Sequence, residues 1–121
     1  MLPPCSPEPY VDFNQKPPRE RMLAALETVA GQLGESYPLW IGGEKVTTGE
    51  TFESVSPAAP DRVVGVVSKA NVDLADRAVR SAADAFPEWS RVDPQARARI
   101  LIKAAAIMRR RVYELTAWMC Y

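Results

Sequence analysis

Apolar positions recur at three-four spacing in three stretches of the chain and alternate in the stretch between them. Met22, Leu23, Leu26, Val29, Ala30 and Leu33 share one helical face. They follow Pro17-Pro18, which suits a first helical turn, and Gly34 is the expected stop. Tyr37-Pro38-Leu39-Trp40-Ile41 and Glu44-Lys45-Val46 are short β-type runs around Gly42-Gly43. Two adjacent glycines supply the positive φ angles of a two-residue hairpin turn. Thr51 to Val55 alternates, with Phe52 and Ser54 on one side and Thr51, Glu53 and Val55 on the other. Pro57-Ala58-Ala59-Pro60-Asp61 reads as a turn. Val63-Val64-Gly65-Val66-Val67 is β-branched and predicts a strand buried on both faces. Strands this few and short do not close a core unaided.

The last fifty residues predict two amphipathic helices. Asn71 suits an N-cap, and Asp73 complements the dipole of the first turn. Ala75, Ala78, Val79, Ala82 and Phe86 form a narrow stripe of mostly small residues. Pro87 is the expected stop, with Trp89 plugging the corner. Asp93-Pro94 restarts a helix that carries Ile100, Leu101, Ala104, Ala105, Met108, Val112, Leu115 and Met119 on one face. That helix is still apolar at Trp118-Met119-Cys120-Tyr121 and meets no Gly or Asn cap. The pattern predicts a chain cut short.

Composition narrows the function classes. The 121 residues are 47% hydrophobic and 25% charged with zero formal net charge, as in a globular protein, and nothing global attracts nucleic acid. Arg97, Arg99, Lys103, Arg109, Arg110 and Arg111 make one basic helix face. No aromatic residues interleave with it for base stacking, so a solvated face is expected. No apolar run is long enough to span a bilayer. Met1-Leu2-Pro3-Pro4-Cys5 has neither the basic start nor the apolar core of a signal peptide. Residues 1–16 are proline-rich and read as an extended arm that lies on another surface. Cys5 and Cys120 stand at opposite ends, which predicts reduced cytosolic thiols rather than a disulfide or a metal site. Histidine is absent, which removes histidine-based acid-base and nucleophile pairs from this chain. Gly42-Gly43 lacks the G-x-G-x-x-G spacing of a phosphate cradle.

In order, these pieces resemble the N-terminal quarter of the aldehyde dehydrogenase superfamily. The resemblance rests on the early helix, Tyr37-Pro38-Leu39-Trp40-Ile41-Gly42-Gly43-Glu44-Lys45-Val46 and Ser56-Pro57-Ala58-Ala59-Pro60. It continues through Val63-Val64-Gly65, Ala82-Ala83-Asp84-Ala85-Phe86-Pro87-Glu88-Trp89-Ser90 and the run from Leu101 to Arg111. The early helix, Met108-Arg109-Arg110-Arg111 and the Glu8-Pro9 arm with Phe13 favour the L-glutamate γ-semialdehyde dehydrogenase branch, also called 1-pyrroline-5-carboxylate dehydrogenase.

The resemblance implies an α/β fold. Residues 1–36 would be an N-terminal arm and helix, and residues 37–121 an incomplete N-terminal portion of the NAD-binding domain. It implies a cytoplasmic homo-oligomer with a small-molecule aldehyde substrate, NAD as cofactor, and neither nucleic-acid nor membrane partners. In such enzymes a cysteine thiolate attacks the aldehyde, hydride passes to the nicotinamide, and a glutamate activates the releasing water. Those groups follow the matched region, so no catalytic, cofactor-binding or metal residue is assigned here and the chain alone is expected to be inactive. The rival expectation is a self-contained helical interaction or oligomerisation module without catalysis.

Overall fold

A computed structural model describes residues 7–121, so Cys5 and the first prolines of the arm lie outside the described residues. The described chain falls into two compact units, one of residues 7–31 with 93–120, the other of residues 32–92 with Tyr121.

The first unit is helical. Residues 7–12 form no regular element, as expected of an arm. Asp12 then accepts hydrogen bonds from the Asn14 backbone N–H (2.9 Å) and side-chain amide (3.0 Å), turning the chain into α1, Lys16–Ala30. Pro17 and Pro18 occupy its first turn, where no intrahelical donor is needed. Met22, Ala25 and Leu26 are half-buried and Val29 is fully buried, whereas Leu23 points off this face and is exposed. The face packs on α4, Val112–Cys120, whose one buried residue is Ala117. The helix stops at Ala30, earlier than the expected Gly34. Gly34 instead adopts φ +79° inside the second unit and donates its N–H to the Val64 carbonyl (3.1 Å), leading into a strand.

Asp93 caps α3, Pro94–Arg110, as expected, accepting from the N–H groups of Gln95 and Ala96. The single long helix expected up to the final residue is broken. Arg111 (φ −103°, ψ 17°) splits its N–H between the Ile107 and Met108 carbonyls, a local tightening of the turn. Its guanidinium reaches forward to both carboxylate oxygens of Glu114 (2.8 and 2.5 Å), and α4 restarts at Val112.

The second unit contains β1 (Ser36–Tyr37), β2 (Leu39–Ile41), β3 (Glu44–Val46), β4 (Thr51–Ser56), β5 (Ala59–Ser68) and α2 (Val72–Trp89). β5 is the middle of a three-stranded sheet in the order β1-β5-β4, parallel to β1 and antiparallel to β4. The β4–β5 turn is tighter than expected: only Pro57-Ala58 form it, and β5 already begins at Ala59. Pro60 cannot donate to the ladder, and the register shifts between Ser54 and Ser56 opposite it. Val63, Val64, Val66 and Val67 are half-buried, not buried on both faces as expected, because two short neighbours cover little of their surface. Gly65 is buried. A Cβ there would come within 2.9 Å of the Tyr37 ring, so the glycine in this valine run makes room for the neighbouring strand's aromatic side chain.

β2 and β3 pair as the expected hairpin, with Gly42 and Gly43 at φ +60° and +83°. Asn71 caps α2, its side chain accepting from the Leu74 N–H (2.9 Å). Pro87 does not end α2. It falls in the last turn, one missing donor is tolerated, and the helix closes at Trp89, with the Ser90 N–H on the Phe86 carbonyl (2.8 Å). Trp89 is 44% exposed, so it does not plug the corner as expected.

Candidate functional site

Chemistry needs groups brought together, so the test is what each unit gathers. In the second unit the hairpin lies on α2. Arg77 donates to Glu44 (2.7 Å), Arg80 pairs with Asp76 one turn away (2.7 Å), and Leu74, Ala78 and Ser81 are half-buried. The turn approaches so closely that a Cβ on Gly42 would lie 2.8 Å from Ser81 Oγ. The polar side of α2 borders a recess of about 450 Å³ lined by Asp73, Asp76, Arg77, Arg80, Ser81 and Asp84. Each of its two guanidinium groups already meets a carboxylate, so the recess carries no unmatched positive charge for an anion. A smaller recess of about 210 Å³ lies among Thr48, Gly49, Glu50, Lys69 and Asn71. There the Glu50 carbonyl accepts from both Thr48 Oγ1 and the Lys69 N–H (2.8 Å each).

In the first unit a groove of about 350 Å³ runs along α3 and α4. Ala105, Met108, Val112, Leu115 and Met119 line it, together with Glu8 and Arg109, which form an ion pair. The sequence separation of that pair, like that of Glu44 and Arg77, leaves no local pattern by which sequence reading finds it. Hydrogen bonding from Arg111 holds the Glu114 carboxyl below the ordinary carboxylate range, and the Asn14 N–H does the same for Asp12. These are exposed structural links.

Cys120 is a free, exposed thiol near the end of the α4 apolar stripe. No cation stands among the five residues before it, whereas a cysteine nucleophile is activated by one. Among the described residues no group of three or more His, Cys, Asp or Glu side chains is gathered to hold a metal. Nor do the residues singled out in the sequence fit a dinucleotide. Gly42-Gly43 closes a hairpin rather than opening a helix, and the first turn of α2 already has its Asn71 cap. The described contacts are a hairpin clamped to a helix and an arm clamped to a helical pair.

The sequence profile of the aldehyde dehydrogenase family matches residues 44–121, and the chain belongs to that family. More particularly, it is 50% identical over 119 residues to 1-pyrroline-5-carboxylate dehydrogenase of Geobacillus thermodenitrificans, an alignment covering 98% of this chain and 23% of that protein. It is 49% identical over 121 residues to 1-pyrroline-5-carboxylate dehydrogenase 1 of Halalkalibacterium halodurans, covering 100% of this chain and 24% of that protein. The crystal structure of 1-pyrroline-5-carboxylate dehydrogenase from Thermus with bound NAD superposes with a TM-score of 0.92 at 42% identity, over 97% of this chain and 23% of that one. The chain therefore has the α/β fold of the N-terminal part of these enzymes and spans about a quarter of the length of the relatives it matches.

Proposed function

We propose that this chain is the N-terminal quarter of an NAD-dependent dehydrogenase that oxidises L-glutamate γ-semialdehyde to L-glutamate in proline breakdown. The carrying observation is an identity of 50% sustained over 98% of this chain but only 23% of the relative. The Thermus structure with bound NAD supports the cofactor. Residues 1–36 are then the arm and first helix, and residues 37–121 part of the NAD-binding domain. The chain contributes framework, and the nucleophile, the base and the dinucleotide seat belong to the polypeptide it supports.

The whole protein is a cytoplasmic homo-oligomer in this reading, without nucleic-acid or membrane partners. Among the described residues no helix is long and apolar enough to cross a membrane. Within the basic run, Arg109 pairs with Glu8 and Arg111 with Glu114, which fits a face tied up in its own ion pairs. The test is an assay of NADH formation from glutamate semialdehyde. The 121-residue chain should give none, and a full-length protein carrying this segment should turn over. Turnover by the chain alone, or a full-length protein inert toward this aldehyde, overturns the reading.

A further inference from the structure

Residues 7–12 run through the first unit without regular structure, yet they are fixed at two points. At one, Glu8 pairs with Arg109 in the last turn of α3. At the other, Asp12 holds the Asn14 N–H (2.9 Å) in the turn that leads into α1. Tyr10 stands midway between them and is 106% exposed. Glu8 also lines the groove along α3 and α4, together with Met108, Val112, Leu115 and Met119. Met108 and Met119 are 59% and 88% exposed. A bare aromatic ring is therefore held two residues from a side chain that borders a bare apolar groove.

We infer that residues 7–12 are a strap poised to close, with Glu8 as its anchor and Tyr10 as the side chain that enters the groove. The structure holds the open position. Two residues of extended chain reach about 7 Å, so a ring tethered this near its anchor can enter the groove while Glu8 stays on Arg109. Pro9 fixes φ between anchor and ring, so few conformations are lost on closing. A groove of about 350 Å³ lies at the low end of small-molecule pockets and suits one aromatic side chain. The two methionines favour that guest, because unbranched thioethers repack around a ring and make sulfur–aromatic contacts. Burying a fully exposed aromatic side chain shifts an equilibrium by roughly tenfold or more. An exposed ion pair shifts one by at most about fivefold. The ring therefore supplies most of the drive to close, and the pair raises its effective concentration at the groove. The pair also makes the strap sensitive to ionic strength, since added salt screens two exposed charges and leaves the apolar contact in place. Closed, the strap keeps other apolar guests out of the groove. The inference does not rest on the function proposed above.

The test labels the methionine methyl groups of the 121-residue chain. Closure puts a ring against Met108 and Met119, so both methyl resonances should lie upfield of their positions in Tyr10→Ala, while that of Met22 on α1 should not move. Tyr10→Phe should keep the upfield shifts. Chymotrypsin cleavage after Tyr10 reads the open fraction independently. Glu8→Arg should speed that cleavage by about two- to fivefold and shrink the methyl shifts. Combining Glu8→Arg with Arg109→Glu reverses the pair and should restore both readouts. Potassium chloride at about 0.5 M should act on the unaltered chain as Glu8→Arg does, and should add nothing in that variant. All three positions are exposed, so these changes leave the helices intact. If Tyr10→Ala leaves the Met108 and Met119 resonances in place, the ring does not enter the groove and the strap is overturned. If the methyl groups respond to Tyr10→Ala but Glu8→Arg alters neither readout, the ring seats without its anchor and the inference is overturned as well.

Discussion

Glu114 and Gly65 show how much single residues decide here. Arg111 breaks the last helical stretch, and its two hydrogen bonds to Glu114 secure the new start at Val112. Because those bonds depress the folded carboxyl below its ordinary value of 4.5, the link contributes its full stabilisation above that value. The contribution fades as pH falls through the depressed folded value. Protection of the α4 amides, after correction for the intrinsic pH dependence of exchange, should therefore fall on acidification, and Glu114→Gln should remove that fall. Gly65 sets a steric limit instead. An added methyl would sit 2.9 Å from the Tyr37 ring, so Gly65→Ala should cost about 1 kcal/mol by overpacking. The double variant with Tyr37→Ala should recover most of the loss that Gly65→Ala adds, as read by the amide-exchange protection of β5. No recovery would mean that the strand itself, not the ring, rejects the methyl group.

At the scale of elements, local chemistry was legible and long-range closure was not. The Asn71 and Asp93 caps and the Gly42-Gly43 hairpin came directly from residue type, because each is settled within about four residues. The errors share another cause. Gly34 looked like a helix stop, but its N–H answers to Val64 on a distant strand. The break at Arg111 has no Gly or Pro to announce it and depends on a side chain reaching the next turn. Trp89 was expected to be buried because tryptophans usually are, yet nothing in the described chain covers it fully. The Glu44–Arg77 and Glu8–Arg109 clamps were not readable, because each joins residues far apart in the chain. The hairpin is the best-determined element, held by two positive φ angles and one ion pair. Gly42→Ala should destabilise it twice over, through strain at φ +60° and through collision with Ser81. Ser81→Gly should relieve only the second part, so amide-exchange protection of β2 and β3 in the single and double variants separates the two, each by about 1 kcal/mol.

The whole molecule is distinguished by what it leaves uncovered. Its accessible surface is 9762 Å². Two separate compact bodies, each of half its mass, would together expose only about 7,800 Å². Apolar side chains such as Ile100, Leu101, Met108, Val79 and Phe86 are exposed, and among the described residues the buried apolar side chains are Val29, Ile41 and Ala117. Conformational entropy acts on every ordered residue, while the apolar burial that opposes it is confined to small patches in each unit. The isolated chain should accordingly keep helical circular dichroism from its capped helices but lack a sharp unfolding transition. Because the denaturant slope scales with the surface exposed on unfolding, urea should give a slope below the roughly 1–3 kcal/mol/M of small compact proteins. A hydrophobic dye should bind before any urea is added. On the proposed function, adding the remaining three quarters of the Geobacillus thermodenitrificans relative should steepen the transition and suppress the dye signal together, since both report the same bare apolar faces. A steep, dye-silent transition in the 121-residue chain by itself would mean that these faces find cover within the chain or in its own copies, and the framework role would have to be abandoned.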